Sequence, residues 1–419
     1  MKIHLLRYTA SIIAVIGLLL LISCEKPQPQ QPPSDMLSVT PTTPIFFNAH
    51  NNLPDTLIIS TNVDDWSYTA PEWVSASKED GKLMVNVDDN SGETRRGVLA
   101  ITAGNAQSVE IDVCQKAYRS IRQIVYLEVN DCNPLNILEY NLTDGTPFFD
   151  AVILFAANIN YDSANDKVYL HCNANVQALL DESETYLQPL RERGIKVYLG
   201  LLGNHDASGL AQLSDWGARQ WAQEVAEVCH KYKLDGVNLD DEYSKEPILD
   251  NKWFTTRSAK AGARLACELK LALAQKCRWH TEVSIFEYGM LYRLPAVTID
   301  GVKYTQSQYI DMVLANYGCD VYPYGDLTYA HCSGASIELN TAQKLYKGTA
   351  QRIVEKGYGW CMWFGFDPAS SGAKNNREHS MAQFNVAAEV FYSSEVVPPT
   401  HVYKKIGEGN YDAQPYPIQ

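Results

Sequence analysis

The sequence has little positive charge and few of the patterns that bind metals. Its 35 lysines and arginines are outnumbered by 49 aspartates and glutamates, for a formal net charge of -14. Because phosphate groups repel a surface of that sign, nucleic acid is not an expected partner. No CxxC pair occurs among the ten cysteines and no HExxH motif among the nine histidines. The sequence therefore predicts no metal and no cofactor.

Long apolar runs are also absent, apart from one at the N-terminus. Ile12–Ile22 follows a short basic start and runs into the sequence LISC, which ends at Cys24. This arrangement resembles a lipoprotein signal, which implies removal of residues 1–23 and a lipid anchor on Cys24. An ordinary signal peptide or a single membrane helix is the alternative. We expect a lipoprotein of a Gram-negative, Bacteroidetes-like envelope, in the outer membrane, and the sequence leaves open which face it occupies.

Two N-terminal segments follow the signal. Residues 24–36 are rich in proline and glutamine, a composition that favours an extended linker. Residues 37–117 contain short alternating apolar segments separated by turn residues, which predicts a small β-sandwich. The order of Trp73 after a proline, Arg95 and Arg96, and a last strand ending in Cys114 and Gln115 resembles BACON domains. That resemblance leaves both a spacer role and a sugar-binding role open.

Residues 118–395 change to apolar, strand-like runs that alternate with amphipathic stretches of helical length. This alternation predicts an α/β fold, a (β/α)8 barrel of the TIM type. Seven strands are clear, and the eighth is expected either near Leu291–Thr298 or near Tyr329–Ile337. Catalytic groups of such barrels lie at the carboxyl ends of the strands, so polar residues after each run are the candidates.

The fourth run, LDGVNLDDEYS, ends in three acidic residues. Side chains alternate along a strand, so Asn238, Asp240 and Glu242 share one side, which we expect to face the barrel mouth. Two carboxylates in a shielded pocket push each other's pKa apart, so one remains protonated while the other is charged. This arrangement is typical of glycoside hydrolysis. A solvated acidic turn or a loose cation site is the alternative.

The run is similar to the DxxDxDxE signature of glycoside hydrolase family 18, and its DEY ending to the endo-β-N-acetylglucosaminidase branch of the H and F type. Further segments from Arg122 to Glu395, among them YLEVNDCNPLNILEY and GIKVYLGLLGNHDASG, resemble the same enzymes in the same order. The resemblance implies cleavage between the two core N-acetylglucosamines of N-linked glycans. The expected binding partners are therefore the N-linked glycans of glycoproteins, and the protein is expected to be a monomer.

The resemblance also implies catalytic roles. Glu242 matches the general acid and base, and Asp240 matches the carboxylate that orients the substrate's 2-acetamido group, whose oxygen attacks the anomeric carbon with net retention. Tyr317 matches the tyrosine that hydrogen-bonds the acetamido carbonyl. Asn238 departs from the signature, which has aspartate there. An asparagine can still donate a hydrogen bond to Asp240 but cannot exchange a proton, so activity is expected to survive at a reduced level.

Other polar and aromatic residues at strand ends are candidates for substrate binding. Asn204 and His205 follow the third run, and a structural turn is their alternative role. Asn316 precedes Tyr317. Trp363 is the candidate for a tryptophan floor beneath the reacting sugar, with Trp360 or Phe364 as alternatives if the register differs by one residue.

The sequence leaves other functions open. A surface glycan-binding protein with a degenerate barrel is one alternative, and a chitinase with the same signature is another. The choice among high-mannose, hybrid and complex N-glycans depends on loops that the sequence does not define. Residues 396–419 are expected to form a tail outside the barrel, with no assigned role.

Overall fold

The computed structural model describes residues 34–49, 52, 54–370 and 377–418. The predicted signal peptide, the anchor Cys24 and most of the predicted linker lie outside these residues. Within the described ranges, no helix combines the length and the apolar character that a membrane crossing requires.

Residues 37–115 form two four-stranded sheets that enclose a separate apolar core. Alternation creates this core. In Lys82–Val87, for example, Leu83, Val85 and Val87 are buried while Lys82 and Asn86 are exposed. One sheet contains, in spatial order, Leu37–Thr40, Asp55–Thr61, Lys82–Val87 and Val74–Glu79. The other contains Ile45–Phe47, Val109–Gln115, Arg95–Ala103 and Trp66–Thr69. The predicted all-β region is confirmed.

Eight parallel strands then form a nearly closed barrel, which confirms the predicted fold class. They are β1 (Arg122–Glu128), β2 (Ala151–Asp162), β3 (Lys196–Leu202), β4 (Gly236–Asp240), β5 (Glu282–Phe286), β6 (Met312–Leu314), β7 (Ser333–Glu338) and β8 (Trp360–Phe364). Neighbours in sequence pair from β1 to β6, and β7 pairs β8, which pairs β1. The gap between β6 and β7 is bridged by Val313 and Cys332. The eighth strand is therefore β7, in the second of its two expected places.

Seven α-helices surround the strands in the described residues. They are α1 (Ala174–Asp181), α2 (Ser183–Tyr186), α3 (Gln188–Glu192), α4 (Asp215–Lys231), α5 (Ala259–Lys276), α6 (Lys347–Lys356) and α7 (Arg377–Tyr392). The connections after β1, β5 and β6, all within the described ranges, contain no α-helix. They contain the 3-10 turns Pro134–Glu139, Gln306–Gln308 and Tyr329–His331, a two-residue strand Asn141–Leu142, and the hairpin Val297–Ile299 with Val302–Tyr304. An antiparallel strand, Lys167–His171, lies between β2 and α1. Three crossovers thus depart from the ideal (β/α)8 pattern.

The C-terminal residues pack against the barrel, which corrects the expectation of a tail outside it. Val396–Val397 pairs with Asn141–Leu142, and two short hairpins follow, formed by His401–Val402 with Tyr416–Pro417 and by Lys405–Gly407 with Asn410–Tyr411. The amide of Asn133 donates to the carbonyls of Lys404 (3.1 Å) and Asp412 (2.9 Å). Buried Asn133 and Asn136 follow β1, so the tail covers the connection between β1 and β2.

The sandwich lies at the amino-terminal end of the barrel strands. Lys116, at the end of the sandwich, donates to the carbonyl of Gly194 (2.9 Å), just before β3, and pairs with Asp150 (3.6 Å), just before β2. Arg96 donates to the carbonyl of Asp144 (2.9 Å). The sandwich is therefore opposite the end at which Glu242 follows β4.

Candidate active site

The end of β4 carries the acidic cluster predicted from the sequence. Val237 and Leu239 belong to the core between strands and helices, whereas Asn238 bonds across the barrel interior, so the predicted alternation of sides is confirmed. Gly236 permits this strand to approach β5 closely, because a Cβ atom there would lie 1.9 Å from the carbonyl oxygen of Glu282.

Asp240 is buried, with 4% of its surface exposed, and its Oδ1 atom has no hydrogen-bond partner. Burial raises the pKa of Asp240 well above its usual range, and the nearby carboxylates of Glu242 and Asp241 raise it further. A carboxyl group with an unpartnered buried oxygen is costly in its charged form. Such a group is typical of sites where a ligand supplies the missing partner.

Glu242 is the second residue of the loop after β4, and a neighbouring loop packs closely against it. Its backbone N–H donates to the carbonyl of Asp240 (3.1 Å), and a Cβ atom at Gly203 would lie 2.2 Å from the carbonyl oxygen of Glu242. The charge of Glu242, followed by burial and a hydrogen bond from the hydroxyl to Glu242, raises the pKa of the next residue, Tyr243. Glu242 therefore has an aromatic hydroxyl as its direct neighbour.

Tyr317 lies beside the two acids. Its ring packs 5.6 Å from that of Phe286 and 4.9 Å from that of Phe364, and both distances join ring centres. Burial raises the pKa of Tyr317, and the charges of Asp240 and Glu242 contribute to the shift, so its hydroxyl remains a hydrogen-bond donor at neutral pH. The structure thus brings Asp240, Glu242 and Tyr317 together.

Asn238 is completely buried, and its amide is fixed from two sides. The Tyr126 hydroxyl donates to its Oδ1 atom (2.7 Å), and its Nδ2 atom donates to the Ser284 hydroxyl (2.9 Å). Ser284 in turn donates to the carbonyl of Val237 (3.1 Å). The expected hydrogen bond from Asn238 to Asp240 is therefore corrected, because the amide pairs with β1 and β5 instead.

Asp241 points away from the mouth and anchors the loops around it. It forms an ion pair with Arg257 (2.8 Å) and accepts a hydrogen bond from the backbone N–H of Met290 (2.9 Å). The side chain of Asp241 is completely buried. Of the three consecutive acids, this one serves structure rather than the site.

The remaining polar candidates lie at the mouth. Asn204 and His205 are exposed in the loop after β3, where the His205 backbone N–H donates to the carbonyl of Tyr243 (2.6 Å) and the two rings are 5.1 Å apart. Both His205 and Tyr243 have a φ of 58°, a strained conformation for residues other than glycine. Asn316 accepts a hydrogen bond from the backbone N–H of Tyr317 (2.7 Å), so it shapes the turn that presents the tyrosine.

The expectation for Trp363 is wrong. Its ring is completely buried on the helix side of β8, 5.0 Å from the ring of Phe384 in α7, and its indole N–H donates to Gln123 (2.9 Å). The register is shifted by one residue, and it is Trp360 and Phe364 that belong to the interior cluster of the barrel. Phe364, at the mouth, occupies the position expected for Trp363.

Several interior residues were not identified from the sequence. Tyr126, Ser284, Phe286 and Phe364 all lie on the interior side of their strands, close to the acidic cluster. The alternation that identified Asn238 and Asp240 on β4 would have found them if it had been applied to each strand. Among the described residues, no group of three or more His, Cys, Asp or Glu side chains is arranged to hold a metal ion.

Comparison with known proteins agrees with this geometry. Residues 64–116 match the BACON family, described as "Putative binding domain, N-terminal". Endo-β-N-acetylglucosaminidase F1 of Elizabethkingia meningoseptica is 39% identical over 290 residues, which are 68% of this chain and 82% of that protein. An endo-β-N-acetylglucosaminidase of Flavobacterium sp. (strain SK1022) is 46% identical over 122 residues, 29% of this chain and 38% of that protein.

Solved structures add to the likeness. EndoBT-3987 of Bacteroides thetaiotaomicron, in complex with a Man9GlcNAc2Asn substrate, has a TM-score of 0.65 and 34% identity, covering 91% of this chain and 99% of that one. The same enzyme with a Man5GlcNAc product has a TM-score of 0.65 and 33% identity, covering 89% and 96%. Identity and coverage of this extent show a common family, and the protein is a glycoside hydrolase that belongs to the family 18 endo-β-N-acetylglucosaminidases of the H and F type.

Proposed function

We propose that the protein hydrolyses the β1,4 bond between the two core N-acetylglucosamines of N-linked glycans, through a substrate-assisted mechanism that retains the anomeric configuration. The grouping of Asp240, Glu242 and Tyr317 at one end of the barrel carries this proposal. The substrate class is that of the related enzyme whose structure contains Man9GlcNAc2Asn.

Asp240 orients the attacking group in this mechanism. The raised pKa of Asp240 means that this carboxyl group keeps its proton to a higher pH than an ordinary aspartate does. The N–H of the substrate's 2-acetamido group is a suitable partner for the Oδ1 atom of Asp240, which has none in the free protein. That hydrogen bond favours the charged form of Asp240 and leaves the proton on Glu242.

Glu242 then donates its proton to the glycosidic oxygen while the acetamido oxygen bonds to the anomeric carbon. The hydroxyl of Tyr317 donates to the acetamido oxygen and holds it in line, and the negative charge of Asp240 stabilises the oxazolinium cation that forms. Water, deprotonated by Glu242, opens this ring from the same face from which the leaving sugar departed, so the configuration is retained.

Mass spectrometry of a high-mannose glycoprotein and a complex-type glycoprotein after incubation with the protein tests the proposal. We expect each asparagine of the accepted glycoprotein to retain a single N-acetylglucosamine. The Glu242→Gln variant lacks the proton donor and is expected to lose about 100- to 10,000-fold in rate.

Glu246→Gln is the matched control, because Glu246 is an exposed acid in the same loop and its replacement leaves the site intact. We expect this variant to be as active as the parent protein. Binding of both glycoproteins without release by the parent protein would instead identify a glycan-binding protein. Release of sugar only from polymeric N-acetylglucosamine would identify a chitinase.

We also propose that Cys24 is acylated and anchors the protein to the outer membrane. The support is the sequence before Cys24, which lies outside the described residues. Metabolic labelling with a radioactive fatty acid should mark the protein and not its Cys24→Ala variant. Equal labelling of both would rule out this anchor.

A further inference from the structure

A cavity lies at the end of the barrel opposite Glu242, where the sandwich meets the strands. It has a volume of about 220 Å3, far above the roughly 10–15 Å3 that one water molecule requires. Its lining contains four cations and two acids, namely Lys116, Arg119, Arg122, Lys196, Asp150 and Glu282. The cavity therefore has two more positive than negative side chains.

Both acids are already paired. Asp150 binds Arg119 (3.1 Å) and Lys116 (3.6 Å) and accepts a hydrogen bond from the backbone N–H of Gln123 (2.9 Å). Glu282 binds Lys196 (2.8 Å) and accepts a hydrogen bond from the hydroxyl of Tyr198. Glu282 also contacts the His280 ring (3.4 Å), and the charge of Arg122 helps to lower the pKa of Glu282 although no ion pair joins the two side chains in the described structure.

Arg122 is the cation that is left over. Its guanidinium lies 3.8 Å from the ring centre of Trp360, and it forms none of the hydrogen bonds or ion pairs present among the described residues. A half-buried guanidinium with five free N–H donors is unusual, because such groups normally bind carboxylates or phosphates in pairs of hydrogen bonds. Because one face of the guanidinium packs on the Trp360 ring, the N–H groups along the edge of the guanidinium remain free to bind an anion.

Two neighbouring groups also favour an anion. Trp360 lines the cavity, and its buried indole N–H has no hydrogen-bond partner in the described structure. Burial lowers the pKa of Lys116 to about 8, Asp150 opposes that shift, and the charge of Arg119 adds to it. Lys116 and Arg119 therefore repel each other, and a bound anion would relieve that repulsion.

We propose that this cavity is a binding site for a small oxyanion of the carboxylate, sulfate or phosphate type, held by Arg122. A carboxylate is planar and sulfate and phosphate are tetrahedral, but each carries two oxygen atoms that can accept hydrogen bonds from two N–H groups of one guanidinium. The site is at the end of the barrel opposite Glu242, and its occupation would tie the sandwich to β1 and β8.

Calorimetric titration of the protein with sodium phosphate, sulfate and acetate, at constant ionic strength with chloride, tests the site and distinguishes the three ions. We expect saturable binding of at least one ion. In Arg122→Gln the Kd should rise about tenfold or more, because charge-assisted hydrogen bonds are lost. Lys303→Gln, which removes one exposed positive charge on the Val302–Tyr304 strand, should bind within twofold of the parent protein.

Arg122→Lys keeps the charge but loses the paired donors, so it should bind with a Kd between those of the parent and Arg122→Gln. It also serves if Arg122→Gln fails to fold, which thermal unfolding and glycan release would reveal. No saturable binding of any of the three ions by the parent protein would overturn the proposal. So would equal affinity of the parent and the Arg122 variants.

Discussion

At the amino-terminal end of the barrel strands the carboxylates are paired, whereas at the carboxyl-terminal end Asp240 is buried with an unpartnered oxygen. The paired acids follow one pattern, in which an acid just before one strand accepts a hydrogen bond from the backbone N–H of the neighbouring strand. The pairs are Asp150 with Gln123 (2.9 Å), Asp235 with Val197 (2.7 Å) and Asp311 with Val283 (2.7 Å). These acids satisfy donors that would otherwise be unpaired where the strands begin.

The mouth shows the opposite arrangement. Burial and the charge of Glu242 raise the pKa of Asp240, and His205 and Tyr243 both adopt a strained backbone conformation nearby. Residues that lower stability in this way persist where they serve binding or catalysis. Burial alone does not mark a catalytic acid, since burial raises the pKa of Asp235 to about 6 and the Oδ1 atom of Asp241 is also unpartnered. Both of these acids keep a partner on Oδ2, whereas in the described structure the Asp240 side chain has none, and this difference separates the catalytic acid from the structural ones.

Replacing one acid at each end gives the sharpest test of this comparison. Lys196 and His280 hold the pKa of Glu282 well below its usual range despite its burial. Glu282→Gln leaves the Lys196 cation without its partner, so we expect a loss of about 3–5 kcal/mol in the free energy of unfolding at pH 7. Urea unfolding measures it.

Because the pKa of Glu282 is lowered in the folded protein, its charge stabilises the fold in full above the pKa of an unfolded glutamate, about 4.3, and this deficit should shrink only as the pH falls below that value. Glu242→Gln is the corresponding variant at the mouth, and we expect it to lose hydrolysis with little change in the free energy of unfolding. If Glu282→Gln lost as much activity per folded molecule as Glu242→Gln, the two ends would not differ as we describe.

Lys116 offers a second test at the junction with the sandwich. Its pKa is lowered from 10.5 to about 8 by burial, so between these pH values the unfolded chain binds more protons than the folded one. The stability of the parent protein should therefore rise with pH across this window, relative to Lys116→Met, by an amount of the order of 3 kcal/mol. Parallel stability curves of the two proteins, from urea unfolding at pH 7 to 10.5, would contradict this view of the junction.

Much of this molecule follows from local sequence patterns. Alternation along a strand is a property of the backbone, so the run around Asn238 and Asp240 indicated correctly which side chains enter the barrel. Trp363 shows the limit of that argument. In a strand buried on both sides, such as β8, all residues are apolar, and the periodicity cannot fix which of Trp360, Trp363 and Phe364 face inwards.

Contacts between segments that are distant in the sequence could not be predicted, for a different reason. The hydrogen bonds that attach the C-terminal hairpins to Asn133 and Asn136 join residues more than 260 positions apart, and no local pattern encodes such a pairing. The stacking of Arg122 on Trp360 likewise depends on how β1 and β8 meet when the barrel closes.

Asp240→Asn should raise the free energy of unfolding, because it removes the buried acid that distinguishes the mouth from the other end of the barrel. The raised pKa of Asp240 means that its charge destabilises the fold as the pH rises above the pKa of an unfolded aspartate. The variant should gain about 1.4 kcal/mol at pH 7 for each unit by which the pKa is raised, and less near pH 4, while hydrolysis is lost. Urea unfolding at both pH values measures this gain, and lower stability of the variant at pH 7 would count against the assignment.

Asn238→Asp is expected to have the smallest effect of these substitutions. It changes only the charge near Asp240, and its effect is on the rate of glycan release. The new side chain is buried between Tyr126 and Ser284, so it should be protonated at low pH and then resemble the asparagine it replaces. As the pH rises and it ionises, a like charge arises on the same side of β4 as Asp240, and the rate of glycan release should depart from that of the parent protein. A one-unit change in a controlling pKa alters the rate by about tenfold or less, so the variant remains active. Rate profiles that coincide from the acidic to the alkaline limb would mean that the residue at position 238 has no part in the titration of the catalytic pair.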